Sequence, residues 1–124
     1  MVNKTKTEVI NFCNKIGKDP LLVQASGGNI SWKENKYLWV KASGKSIAKA
    51  KKENIFVKVH YHEILKKIKN KDSIPNPRGV DKDSLRPSIE TLMHIIMPQK
   101  IVLHLHPIEI LKFLVRVDAE DIIK

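Results

Sequence analysis

His104 and His106 stand one residue apart in "KIVLHLHPIEI", residues 100–110, a run that otherwise reads as buried β-strand. A strand has a side-chain period of two, so both imidazoles point to the same side. With only Leu105 between them, the pair can hold one Zn²⁺ or a similar divalent ion. A lone histidine would read as a satisfied core residue. A His-x-His inside an apolar strand, followed by Pro107, favours the ligand reading. His60 and His62 repeat the spacing in "VKVHYHEILKK", a charged strand-to-helix junction where ordinary surface histidines are expected.

Glu90 lies in "RPSIETLMH", residues 86–94. In the first turn of a helix its carboxylate would be stabilised by the helix dipole. Close to a metal it would instead serve as a general acid/base. His94, one turn further on, is expected to pack or to hold Glu90 rather than to bind metal. Spacing alone leaves these roles open. No HExxH is present, because Lys66 follows where the second histidine would stand, and no GxSxG occurs.

Two glycine turns complete the set. "SGGNIS", residues 26–31, offers consecutive backbone N–H groups beside Asn29 and Ser31. Such a nest suits a phosphate, though an ordinary tight turn has the same composition. "ASGKS", residues 42–46, is no P-loop, because Trp39 stands where that pattern needs glycine. Ser43 and Gly44 remain plausible anion donors.

These residues need a scaffold. The spacing predicts a helix over 4–16, with Val9, Ile10, Cys13 and Ile16 on one face and Gly17 as its stop. "LLVQASGGNIS" reads as an apolar start running into a glycine turn. Strands are expected at Tyr37 to Lys41, within 54–59 and over 100–105. "YHEILKKIKN" reads as an amphipathic helix. Residues 70–87, with Pro75, Pro77, Pro87 and Gly79, read as a loop long enough to suggest function. A helix is expected from Ser88, a good N-cap, to Met97, with Pro98 ending it. Another runs from about Pro107 to Val115. The alternation gives a mixed α/β class without internal repeats.

The chain has 124 residues, enough for one small domain. No stretch approaches the ~20 apolar residues of a membrane span, and without a continuous apolar run in residues 1–15 no secretory signal is expected. Cys13 is the single cysteine, read as a small core residue, and a reducing, cytoplasmic setting is expected. The formal charge is +10, and residues 41–71 hold ten lysines against two glutamates. Such a patch can attract nucleic acid. Three arginines in the whole chain and 6% aromatics supply little for base or phosphate recognition, so a solvated lysine-rich surface is favoured over nucleic-acid binding.

Taken in order, "GGNIS", "KASG", "RPSIETLMH" and "VLHLHP" resemble the N-terminal part of the class II aldolase/adducin family over roughly residues 7 to 115. The resemblance implies an α/β/α sandwich around a mainly antiparallel sheet. It implies zinc-dependent aldol cleavage of a ketose phosphate through an enediolate, with His104 and His106 as metal ligands and Glu90 as the catalytic acid/base. Gly28, Asn29, Ser43, Gly44 and Ser88 match positions that hold the substrate phosphate. The same scaffold supports sugar-phosphate 4-epimerases and non-enzymatic, adducin-like interaction modules. Family members are commonly homo-tetramers.

The departures matter as well. Family domains run to about 200 residues. Residues 1–124 are therefore expected to form a single domain of this type, incomplete at the C-terminus. The family's third histidine ligand lies downstream of the His-x-His, and residues 107–124 contain no histidine or cysteine. The chain alone is expected to be inactive, or nearly so, unless another chain completes the site.

Overall fold

Thirteen residues, Lys4–Ile16, form helix α1, with Val9, Cys13 and Ile16 on its buried side as their spacing requires. Gly17 ends it where a Cβ would lie 2.5 Å from the Ala48 nitrogen, so no side chain fits. The structure, a computed structural model, describes residues 4–71, 75–82 and 85–124.

Four strands follow: β1 (Asn29–Glu34), β2 (Tyr37–Lys41), β3 (Phe56–Val59) and β4 (Ile101–His104). They form one antiparallel sheet in the order β3-β2-β1-β4. The register sets Trp32 opposite Trp39 and Asn29 opposite His104. The mixed α/β architecture and its antiparallel sheet agree with the expected class.

The two faces of the sheet carry separate cores. Ile30, Trp32 and Phe56 pack with Val9, Cys13 and Ile16 of α1. Trp32 stacks on Trp39 at 5.7 Å and meets Phe56 edge-on at 4.9 Å. On the other face Leu38, Val40, Val57 and Val59 pack with Ile95, under helices α2 (Tyr61–Lys69) and α3 (Thr91–Ile96). Helices α4 (Ile108–Leu114) and α5 (Ala119–Ile123) bury no residue.

Several elements depart from the sequence expectation. Strand β1 lies at the centre of the sheet, where the glycine turn and its polar neighbours had suggested only a turn. Its asparagine and serine are buried and its lysine half-buried; all three meet α3 or the turns flanking it. Helix α3 starts at Thr91, not at Ser88. The bridge between Ala42 and Pro87 holds the preceding chain extended. Ser88 then closes a turn, its carbonyl accepting from the Thr91 N–H at 3.1 Å and hydroxyl at 2.6 Å. Glu90 thus occupies the N-cap position and caps nothing with its side chain. Strand β4 ends at His104, so His106 lies beyond it. The expected loop at 70–87 has no helix or strand in its described residues; residues 72–74 and 83–84 lie outside them.

Candidate metal centre

β1 alternates. Ile30 and Trp32 face the α1 core, which leaves Asn29, Ser31 and Lys33 for the opposite face. Each of the three engages α3 or the turns flanking it. The Asn29 amide donates to Glu90 Oε2 at 2.9 Å. Ser31 Oγ meets His94 Nδ1 at 2.7 Å. The Lys33 ammonium donates to the carbonyls of His94, Met97 and Gln99 at 2.9, 2.5 and 3.0 Å. A cation at a helix C-terminus satisfies carbonyls that lack intrahelical partners.

The same register delivers Glu90 to the first histidine. His104 pairs with Asn29 across the strands, and its Nδ1 lies 2.6 Å from Glu90 Oε1. This buried ring nitrogen has no aligned hydrogen bond, although the carboxylate oxygen is close. His106 is fixed differently, because the strand has ended. Its N–H donates to the Leu22 carbonyl at 3.0 Å, and its carbonyl accepts from Gln24 Nε2 at 3.1 Å. Gly27 lies against its ring, where a Cβ would come within 2.9 Å of Nδ1. The two imidazoles end 4.8 Å apart, centroid to centroid.

Glu90, His104 and His106 therefore converge, each half-buried, with one donor atom apiece all within 4.8 Å of one another. Among the described residues no other group of three such side chains converges. Two imidazoles and a carboxylate form a donor set that suits zinc or a similar divalent ion. His60 and His62 do not join it. His60 lies against the Tyr37 ring at 4.5 Å, and His62 Nε2 meets the Tyr61 hydroxyl at 3.0 Å.

Electrostatics sort the titratable groups. Burial pushes the Glu90 carboxyl up, but the Asn29 amide and the His104 imidazole more than offset this, and it lies below its usual range. Burial pushes His94 down to about 4, so at neutral pH it is an uncharged ring. It packs beneath Glu90, bonded to Ser31, and takes no part in the donor cluster.

The two glycine turns share a cleft of about 490 Å³, lined by Ser26, Ser43, Gly44, Ser46 and Lys49 among others. Gly28 adopts φ +71°, and a Cβ there would meet the His104 carbonyl at 3.2 Å. Gly44 adopts φ +73° with open space where a side chain would be. The Ser43 N–H is already committed to the Arg86 carbonyl at 2.9 Å. Ser88 lines a different cleft, of about 320 Å³, with Arg86. The Ser88 hydroxyl accepts from the Glu90 N–H at 3.3 Å. Asn29 and Ser88 thus both contact Glu90, while Ser43 and Gly44 sit at the glycine cleft.

Sequence reasoning missed Gln24, Lys33 and Lys41 as parts of this region. The polar–apolar alternation of "NISWK" was the available signal for Lys33. Gln24 carried none, because its partner His106 is 82 residues away.

Comparison with known proteins identifies the family and the fold. The sequence profile of the Class II Aldolase and Adducin N-terminal domain matches residues 7–116. The chain belongs to this family. A Bacillus subtilis (strain 168) relative, the uncharacterized oxidoreductase YuxG, is 37% identical over 117 residues, covering 81% of this chain and 17% of the relative. The chain thus spans under a fifth of that protein's length. The solved N-terminal class II aldolase domain of a conserved Thermoplasma acidophilum protein superposes with a TM-score of 0.74 at 25% identity. That match takes in 98% of this chain and 63% of the other. For a class II aldolase fold, a divalent metal at Glu90, His104 and His106 fits the donor chemistry.

Proposed function

We propose that this class II aldolase-family chain contributes to the metal-dependent aldol cleavage of a ketose phosphate. The convergence of Glu90, His104 and His106 within 4.8 Å carries this reading. A zinc ion carried by His104 and His106 would act as a Lewis acid for the negative charge that develops on the substrate's carbonyl oxygen, with the Glu90 carboxylate beside it left to move the proton. Glu90 is the chain's own acid/base: a carboxyl held below its usual range is ionised at neutral pH and can accept a proton from a carbon beside a carbonyl. The Asn29 amide orients the carboxylate, and the Ser88 hydroxyl accepts from the Glu90 backbone N–H. The glycine cleft, with Ser43 and Gly44, is suited to the substrate's phosphate, and anchoring it there would orient the reacting carbons.

β4 is an edge strand with Ile101 and Leu103 half open to solvent. Such an edge invites pairing with further protein, which supports a reading in which more chain, or a second subunit, completes the active site. A second copy of the chain is one source of such a partner.

The decisive experiment is the metal content of the purified chain, measured beside His104→Ala, with retro-aldol assays on ketose phosphates with and without chelator. Binding of one divalent ion per chain that is lost in His104→Ala supports the metal centre. A chain that takes up no zinc when titrated would overturn it. Product analysis on a ketopentose phosphate separates cleavage from 4-epimerisation.

A further inference from the structure

Lys41 ends β2 and is 3% exposed, an unusual place for an ammonium group. Its Nζ donates to the Ser26 carbonyl at 2.8 Å and to the Lys45 carbonyl at 2.7 Å. Those acceptors belong to different glycine turns, "SGGN" and "SGKS". Among the described residues no carboxylate forms an ion pair with Lys41. The cleft between the turns is lined by Lys49 and by Lys45 and Glu53, which pair at 2.6 Å, so one lysine there stays without an ion-pair partner among the described residues. Lys41 itself is not part of the cleft wall.

We propose that Lys41 is a positioning residue that ties the two glycine turns into one anion-binding cleft, acting from behind the wall and not as a direct ligand. A buried cation is costly unless hydrogen-bonded and balanced by negative charge. The two carbonyls meet the first need. The Glu90 carboxylate meets part of the second from a distance, and an anion in the cleft would add to it. The bonds also join two turns 17 residues apart in sequence that lie at the adjoining ends of the paired strands β1 and β2, beyond the last paired residues. Identifying the anion as a substrate phosphate rests on the aldolase reading; the clamp itself does not.

Inorganic phosphate is the probe, followed by backbone amide shifts of residues 24–29 and 42–46 in the full chain. The clamp predicts that both turns respond together, with a single Kd. A response in one turn only, or in neither, overturns it without any variant. Lys41→Met, with its fold checked by circular dichroism, is expected to weaken phosphate at least tenfold and to raise amide exchange in both turns at once. Zinc uptake at His104 and His106 should stay unchanged, a separation that general loosening of the fold would not give. A folded Lys41→Met chain that binds phosphate as the parent does refutes the proposal. Failure to cleave any ketose phosphate would count against the aldolase reading and leave both of these readouts standing.

Discussion

The two ends of the chain treat their apolar residues in opposite ways. Up to β3, Val9, Ile16, Ile30, Trp32, Leu38, Val40, Ile47, Ile55 and Val57 are all buried. From Ile89 onward, only Ile95 and Val102 join the core, while Ile89, Ile96, Ile110, Phe113, Val115 and Val117 are exposed. Yet the C-terminal part supplies Glu90, His104 and His106. One region makes the fold stable, and the other holds the chemistry. They meet at β1, whose apolar side chains belong to the first and whose polar side chains grip the second. A centre built this way owes its geometry to a few directional bonds more than to burial, because its own segment contributes little hydrophobic area.

The largest effect should come from breaking the buried region. Trp32 is fully buried, stacked on Trp39 and edge-on to Phe56. Trp32→Ala should cost about 3–5 kcal/mol, a large share of the roughly 5–15 kcal/mol that holds a domain folded. Urea unfolding measures it. A loss below about 1 kcal/mol would mean the contrast between the two regions is not energetic.

Next comes the seam. His94 takes a proton near pH 6.5 when unfolded and only at about 4 in the fold, because it is buried. Between those values the unfolded chain binds more protons. The stability tied to a neutral His94 is therefore complete above pH 6.5 and drains away as pH falls towards 4. The loss amounts to about 3 kcal/mol. His94→Gln should flatten the pH dependence of the urea midpoint between pH 7 and 4.5. A profile as steep as the parent's would assign the acid sensitivity to other groups.

Lys33 tests the other half of the seam. Its three carbonyl bonds secure the C-terminal end of α3 to β1. Lys33→Met keeps the aliphatic stem and removes the donors, and should cost about 1–3 kcal/mol. Amide exchange should rise over residues 91–97 more than over 37–41. Equal change in both would show that α3 is held by packing on Ile95 and not by the lysine.

How far the sequence revealed all this depends on the range of the interactions. Helix α1, strands β2 and β3 and helix α2 were legible because their periodicity is local and their apolar faces pack against the core. The His-x-His and Glu90 were legible as chemistry, since their residue types are costly in a core. β1 was not, because its polar face satisfies partners more than 60 residues away, and from sequence Asn29 and Ser31 look like turn residues. The start of α3 was misplaced for a similar reason: Ser88 has the right type for a cap, but the long-range bridge at Pro87 shifts the helix by three residues. Lys41 reads as one more solvated lysine in a basic stretch until the two turns it joins are seen side by side.

The smallest effect is expected where the exposed region is altered. Val117 is fully open, and Phe113 is 41% exposed on a helix that buries nothing. Val117→Lys and Phe113→Lys should each change unfolding free energy by less than about 0.5 kcal/mol, within the usual range for surface sites. They should, however, reduce any concentration-dependent association seen in sedimentation, because exposed apolar side chains of this number drive contact between molecules. The informative result is the pairing of the two readouts. Unchanged stability with weaker association places this face outside the fold's own core and available to a partner. A stability loss approaching that of Trp32→Ala would mean α4 is packed in solution, and the division between a stabilising region and a chemical one would have to be redrawn at α4.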